Sequence, residues 1–437
     1  MASINNRWHK VKLSSFCDVI MGQSPPSSTY NEEGKGLPFF QGVKDFGRIY
    51  PSKRVYCIAN TRKIAEADDV LLSVRAPVGE VNIASERCII GRGIAALRVK
   101  TRNKNDQRFL YYLMLFNKKI WRQLHSGTTF EEITREDIEN LEVFIPENIL
   151  ERHKIAEILG SLDDKIELNY EMNKTLEAIA QAIFENWFVD FEPFKDKLVY
   201  SKELGKKLPE GWEIKPISEV IHVNPPRKLR KGTVARKISM SDLKPWQSWI
   251  ESWSYEEYKG GPTFQNGDTL FARITPSLEH GKTALVLILD EREIAFGTTE
   301  FIVLAPKVIK SDYYVFYLAR TRDVREKAIR AMSGSSGRQR VPDDIFDRIL
   351  IPVPPEEVIK EFNNIVSPLF EMITVNAREN LVLARIRDAL LPKLLSGGIR
   401  VKVDVEEEFP EETKKLEDIG RKKAKIQVSL EEWLRHG

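Results

Sequence analysis

The chain has 437 residues, enough for two or three domains with separate cores, and its 42% apolar and 30% charged content excludes wholesale disorder. A formal net charge of +3 is far from the basic stripe of a non-specific DNA binder. The cysteines Cys17, Cys57 and Cys88 are odd in number and unpaired by motif, so a disulfide framework is not expected and a reducing cytoplasm is.

Met1–Lys12 is polar, with no apolar core, so no signal peptide is expected there. No apolar run approaches the roughly 20 residues that span a membrane. Residues 1–146 read as a mixed α/β domain. Val70–Val74 and Ile94–Val99 are short apolar runs bounded by Pro77, Gly79, Gly91 and Gly93, the pattern of buried strands. Phe109–Leu124 carries Leu, Tyr, Phe and Trp at helical spacing and predicts a buried helix. A Ser-Gly loop, Ser126–Thr129, then precedes Leu-Glu-Val-Phe-Ile-Pro at Leu141–Pro146.

Residues 147–200 change character. Ile155, Leu159, Leu162, Ile166, Asn169, Met172, Leu176, Ile179 and Ile183 alternate spacings of three and four, the seam of a coiled coil. Residues 201–352 then repeat the first domain: Asp268–Arg273 corresponds to Asp69–Val74, Tyr313–Ile329 to the first buried helix, and Ser333–Ser336 to the first Ser-Gly loop. Ile349–Pro354 closes the domain as Leu141–Pro146 closed the first. Residues 353–400 give a second long helix with Phe362, Ile365, Leu369, Met372, Asn376, Leu383, Ile386 and Leu390 on its seam. Asn169, Leu176, Ile179 and Ile183 map onto Asn376, Leu383, Ile386 and Leu390 at one constant offset, which marks an internal duplication.

Long amphipathic helices need partners, and an antiparallel pairing of these two closes the molecule most simply. Such helices would act as a ruler between the domains. Asn169 and Asn376 then either fix the register from inside the seam or lie at its edge. Residues 401–437 carry 8 basic and 10 acidic residues, leaving 59 basic against 54 acidic in the rest. Lys414–Leu434 reads as a solvated helix.

Chemistry-bearing motifs fail one by one. Asn224-Pro225-Pro226 is followed by Arg227, not by the aromatic that stacks on a flipped adenine, and reads as a rigid turn. Gly281-Lys282-Thr283 lacks the earlier glycine of a phosphate loop, since Pro276 stands there. The six histidines show no metal spacing. No catalytic centre and no metal site is expected.

Polar and basic residues gather instead in loops. The first domain offers Gln41, Lys44, Arg48, Arg75 and Arg92, with Thr128 and Thr129 of the Ser-Gly loop. The second offers Arg236, Lys237, Arg273, Thr275, Thr298, Thr299, Arg338, Gln339 and Arg340. Arg and Gln make two-pronged contacts to guanine and adenine edges, and Ser or Thr beside Gly lets backbone approach phosphate. Any single one of these is more often a solvated charge. The Gly337–Arg340 cluster is the exception and is assigned to DNA. Trp246, Trp249 and Trp253 read as packing residues.

The stretches AIAQAIFENWFVDFEPF (178–194) and RIRDALLPKLLSGGIRV (385–401), together with the duplicated domains and the Ile-Pro junctions, resemble the specificity subunit of type I restriction–modification systems. The resemblance covers about residues 8–401. It implies an α/β (α+β) chain of two target recognition domains, 1–146 and 201–352, separated by two long antiparallel coiled-coil helices in a pseudo-two-fold internal repeat. It implies a bipartite, asymmetric DNA site, with modification subunits that carry S-adenosylmethionine docking on the chain. Restriction subunits that use ATP and Mg then complete a nuclease. The chain itself would bind no cofactor and catalyse nothing. Two departures are visible: Leu150-Glu151-Arg152 and Pro355-Glu356-Glu357 stand where many members have Glu-Gln, and the tail after Val401 lies outside the usual ending. The alternative class is a single-chain restriction–methyltransferase of the type IIG kind, which the missing cofactor motif disfavours. A coiled-coil transcription factor lacks its helix-turn-helix here.

Overall fold

The structure, a computed structural model, describes residues 8–124, 132–335, 337–399 and 410–436. By contacts it divides into two compact units that are not consecutive stretches of chain. One comprises Met1–Lys165 with Leu383–Thr413, the other Ile166–Val382 with Lys414–Gly437. Sequence reading placed each long helix as a segment after its domain. Each long helix has residues in both units.

In the first unit a four-stranded antiparallel sheet runs in the order Cys17–Met21, Ile94–Val99, Val70–Ser73, Val81–Ile83. Val70–Ser73 is buried at every position, so its continuous apolar run could form only an inner strand. A five-stranded sheet lies beside it and contains one parallel pair, Leu37–Phe40 with Cys88–Ile90. The helix Lys104–Phe116 follows, its N-terminus capped by the Asn103 side chain, and covers the first sheet with Phe109, Leu110, Tyr112 and Leu113. Trp8–Lys12 pairs with Glu142–Pro146 and ties the two ends of the domain together.

The second unit repeats this plan. Its four-stranded sheet runs Ile221–Val223, Phe301–Pro306, Thr269–Ala272, Thr283–Leu285. A second sheet again has one parallel pair, Val234–Ile238 with Ala295–Gly297. The helix Asp312–Arg320 is capped by Ser311, and Glu213–Pro216 pairs with Leu350–Val353 as the closing ribbon. Asp69 and Asp268 occupy the same place before the inner strand. Each accepts a backbone N–H three residues earlier and a two-pronged arginine, Arg98 at 2.7 and 2.5 Å and Arg227 at 2.7 and 3.3 Å. Burial raises both carboxyls above the ordinary aspartate range, and the arginine bonds offset only part of that rise. Arg227 thus explains Asn224–Arg227: the Asn224 side chain accepts the Val303 N–H, Arg227 holds Asp268, and the segment is a structural turn.

The long helices run Ile149–Phe188 and Glu356–Leu395. Their pairing is antiparallel. In the second unit Asn169 donates to Glu379 (2.5 Å) and Asn380 (2.9 Å), and Asn376 donates to Asn173 (2.7 Å). In the first, Arg387 donates to Asp163 at 2.6 Å. Of the expected seam, Ile155, Ile166, Asn169, Phe362, Leu369, Asn376, Leu383 and Leu390 are buried, and Leu162, Leu176 and Ile183 are half-buried. Asn169 and Asn376 are both fully buried, so they sit inside the seam and not at its edge.

One part of the expected seam needs correction. Met172 and Ile179 are exposed at 39% and 45%, while Asn173, Glu177, Ala180 and Phe184 point inward. From Asn173 onward the buried stripe lies one residue further along than the apolar pattern places it. The polar residues there find partners that an apolar reading cannot anticipate. The tail is a second correction. Pro410–His436 is a helix, but Ile426 is buried and packs with Ile419 against Leu176, Met372 and Val375, so the segment is not solvated all round.

Candidate nucleic-acid interface

In the first domain, three loops leave the same edge of the sheets. One follows Leu37–Phe40, one follows Val70–Ser73, and one precedes Ile94–Val99. They enclose a cleft of about 540 Å³ lined by Ser24, Gln41, Gly42, Lys44, Arg75, Pro77, Arg92 and Gly93. Four of the residues singled out from sequence, Gln41, Lys44, Arg75 and Arg92, therefore meet in one place. Asp45 holds the first loop by accepting the Gln41 N–H at 2.6 Å, and the Lys44 ammonium donates to the Gln41 side chain at 3.1 Å. The loops approach closely because Gly93 lacks a side chain: a Cβ there would lie 2.4 Å from the Gln41 carbonyl oxygen.

Arg75 is exposed but already engaged by Glu132 at 3.1 and 3.2 Å, so its charge is partly offset within the domain. Arg92 is exposed, and its backbone N–H donates to the Ser24 hydroxyl at 3.3 Å. Ser24 also lines the cleft, and the sequence carries no signal for it: the close packing of Gly22, two residues earlier, against Gly91 and Ile94 is a tertiary contact. Arg48 is exposed on a neighbouring loop and does not line the cleft. Thr128 and Thr129, with the rest of their Ser-Gly loop, lie outside the described residues.

The second domain gathers its candidates at the corresponding edge. Thr275 donates its N–H to the Gln339 carbonyl at 3.0 Å, Val341 to Arg273 at 2.8 Å, and Arg273 to Glu300 at 2.9 Å. Arg273, Thr275, Thr298, Thr299, Arg338, Gln339 and Arg340 are thereby brought onto adjoining loops. Their side chains differ in freedom. Arg340 makes a two-pronged bond to Glu300, with contacts from 2.6 to 3.1 Å. Arg273 bonds the Val341 carbonyl and pairs with Asp343 at 2.9 Å. The Thr298 hydroxyl accepts the Glu300 N–H at 3.3 Å. Arg338 and Thr299 are exposed, and Arg338 is tethered through its backbone N–H to Ser335. Ser336 of this loop is outside the described residues.

Arg236 and Lys237 do not join the cluster. Arg236 is 5% exposed; it donates to the Ile288 carbonyl, pairs with Asp290 and Glu293, and lies 4.5 Å from the Trp253 ring centre. It is a correction to the sequence reading: its guanidinium is buried within the domain, held by its own partners, and is not part of the exposed loop cluster. Lys237 is half-buried and paired with Glu256 at 2.8 Å. Trp249 is buried and Trp253 sits under Arg236, both packing residues as expected, whereas Trp246 is 51% exposed beside Arg325.

Among the described residues, no group of three or more His, Cys, Asp and Glu is placed to hold a metal, and no helix is long and apolar enough to cross a membrane. The chemistry on offer at both edges is hydrogen-bond donation from Arg, Lys, Gln and Thr on loops held by a rigid sheet, which suits readout of base edges and phosphates.

Comparison with known proteins agrees with this arrangement. Residues 5–178 and 209–385 match the family of type I restriction modification DNA specificity domains, one match in each half. The MjaIX specificity subunit of a type I restriction enzyme from Methanocaldococcus jannaschii is 26% identical over 429 residues, covering 92% of this chain and 95% of the relative. The putative MjaX specificity subunit of the same organism is 38% identical over 185 residues, 42% of this chain and 43% of that one. Among solved structures, the S subunit of a type I restriction–modification system from M. genitalium shares the fold, with a TM-score of 0.56 and 18% identity over 90% of this chain and 98% of the other. The chain therefore belongs to the type I restriction modification DNA specificity family, as a non-catalytic specificity subunit whose role in a type I complex is the recognition of DNA sequence.

Proposed function

We propose that each domain reads one half of a bipartite, asymmetric DNA site through the loop edge that carries its polar cluster. The observation that carries this reading is the repetition of one architecture with different side chains at the same edge. Gln41, Lys44 and Arg92 line the cleft in the first domain, and Thr299 and Arg338 are exposed on the loops of the second. Equal frames with unequal donors suit two unequal half-sites. Double-stranded DNA and the other subunits of the complex are the partners. In finer detail, modification subunits supply adenine methyl transfer with S-adenosylmethionine, and restriction subunits supply ATP- and Mg-driven cleavage. This chain contributes no cofactor site of its own, and the complex works in the cytoplasm, where the DNA is.

The test is methylome sequencing of cells that express the chain with its modification subunit. A single bipartite motif with two unlike halves is expected. Gln41→Ala with Arg92→Ala should then relax one half and leave the other intact. DNA methylation by the purified chain alone would overturn the reading in favour of a fused enzyme.

A further inference from the structure

The C-terminal helix, Pro410–His436, lies beyond both segments that match the family. Its sequence carries a heptad of its own: Leu416, Ile419, Lys423, Ile426, Leu430 and Trp433 follow at alternating spacings of three and four. From Leu416 to Gln427, Leu416, Ile419, Lys423 and Ile426 are the least exposed, and the residues between them face solvent. Ile419 and Ile426 rest on Leu176, Met372 and Val375, which belong to both long helices. Between these apolar rungs stands a cation. The Lys423 ammonium donates to Glu379 at 2.5 Å and to the Asn169 side chain at 3.3 Å, and Asn169 donates to the same Glu379 oxygen at 2.5 Å. Lys423 is 18% exposed and Glu379 11%.

We propose that residues 410–436 are a docking helix, seated in a groove of the paired long helices that selects an amphipathic helix with one cation between apolar rungs. The selection is physical. A carboxylate at this depth is costly without a cation, and a lysine at a seam position is costly without an acid. Sliding the helix by one heptad would put Leu416 or Leu430 against Glu379 and Lys423 against apolar side chains. Only one register satisfies both, as a polar seam residue does in coiled coils. The occupant is this chain's own C-terminal segment, acting in cis. Any partner that uses this groove has first to displace it.

Hydrogen exchange on the full chain tests the proposal. Amides of 414–427 should exchange at least tenfold more slowly than those of a synthetic peptide spanning 410–436. Lys423→Glu should remove that protection, and Lys423→Glu combined with Glu379→Lys should restore most of it. Should the Glu379 variant fail to fold, Lys423→Glu and Lys423→Gln decide the matter, since Lys423 sits on the outer helix. Protection unchanged in Lys423→Glu would overturn the polar selection. Exchange as fast as in the free peptide would overturn the docking. Protection that fades on dilution, together with a fall from dimer to monomer mass, would assign the helix to a second copy and overturn the cis assignment.

Discussion

Glu177 of the first long helix and Arg320 of the second domain form an ion pair in which each side chain is only 7% exposed. The same carboxylate accepts the Ser248 N–H at 3.0 Å and its hydroxyl at 2.9 Å, and the Tyr317 hydroxyl donates to the Glu177 carbonyl. One residue on the long helix thus ties down two segments of the domain, the loop at Ser248 and the helix Asp312–Arg320. Asp163, two heptads earlier on the same helix, acts alike in the first unit, where Tyr112 donates to it at 2.7 Å and Arg387 at 2.6 Å.

Arg320→Ala would leave Glu177 charged and buried without its cation, held only by Ser248, and loss of one partner of a buried pair costs about 3–5 kcal/mol. Urea denaturation should show that loss. Glu177→Gln with Arg320→Met removes both charges and should recover most of it. A double variant as unstable as the single one would show that packing of the arginine stem, not the pair, holds the domain.

These two acids also mark the limit of what the sequence discloses. The duplication, the closing ribbons and the existence of both long helices follow from spacing and local composition, which depend on neighbours along the chain. The seam beyond Asn169 does not. Met172 and Ile179 fit an apolar pattern better than Asn173 and Glu177, and only the partners decide: Asn376 and the Ile373 carbonyl for Asn173, Ser248 and Arg320 for Glu177. Arg236 misleads for the same reason, because its acids and its tryptophan are distant in sequence. In the candidate site, composition located the loops that gather. It did not separate Arg338, exposed, from Arg340, held by Glu300, since that distinction is a tertiary contact.

Asp312 gives a pH-dependent prediction. Its carboxyl stands against Gly267, where a Cβ would lie 2.6 Å from it, and burial, followed by the charge of Asp268, raises its pKa from 3.8 to about 6. A carboxyl raised in the folded state favours folding while protonated, and that contribution is lost as pH rises from below 3.8 through about 6. Asp312→Asn should therefore stabilise the chain by about 1–3 kcal/mol at pH 7.5 and make little difference near pH 4. Denaturant titrations at the two pH values measure this. A constant difference between them would mean that Asp312 is not strained by its charge.

Cys17 and Cys88 should resist alkylation. Burial, reinforced by nearby acids, pushes both thiols up to about 12, so the reactive thiolate is scarce at pH 8. Mass spectrometry after iodoacetamide treatment should find both unmodified in the folded chain and both labelled in urea. Rapid labelling of either in native buffer would contradict the burial.

The two arginines of the second Ser-Gly loop should behave oppositely on DNA. Arg338 is exposed with its guanidinium turned to no acid that is described, whereas Arg340 is 46% exposed and clamped by Glu300. Arg338→Ala should leave thermal stability unchanged and remove a contact worth roughly 1–3 kcal/mol if it reads a base, relaxing preference at one position of one half-site. Arg340→Ala loses the surface ion pair with Glu300 and keeps the backbone bridges to Ser333 and Ile274. Its effect should therefore be a modest loss of stability and a general weakening of that half-site, without a change in which base is preferred. Selection from degenerate duplexes by the assembled methyltransferase, alongside melting curves, separates the two. If Arg338→Ala relaxes both half-sites or neither, the Ser-Gly loop does not read bases. If Arg340→Ala alone changes the preferred base, the Glu300 pair must open on DNA, and the guanidinium held by it is the reading group.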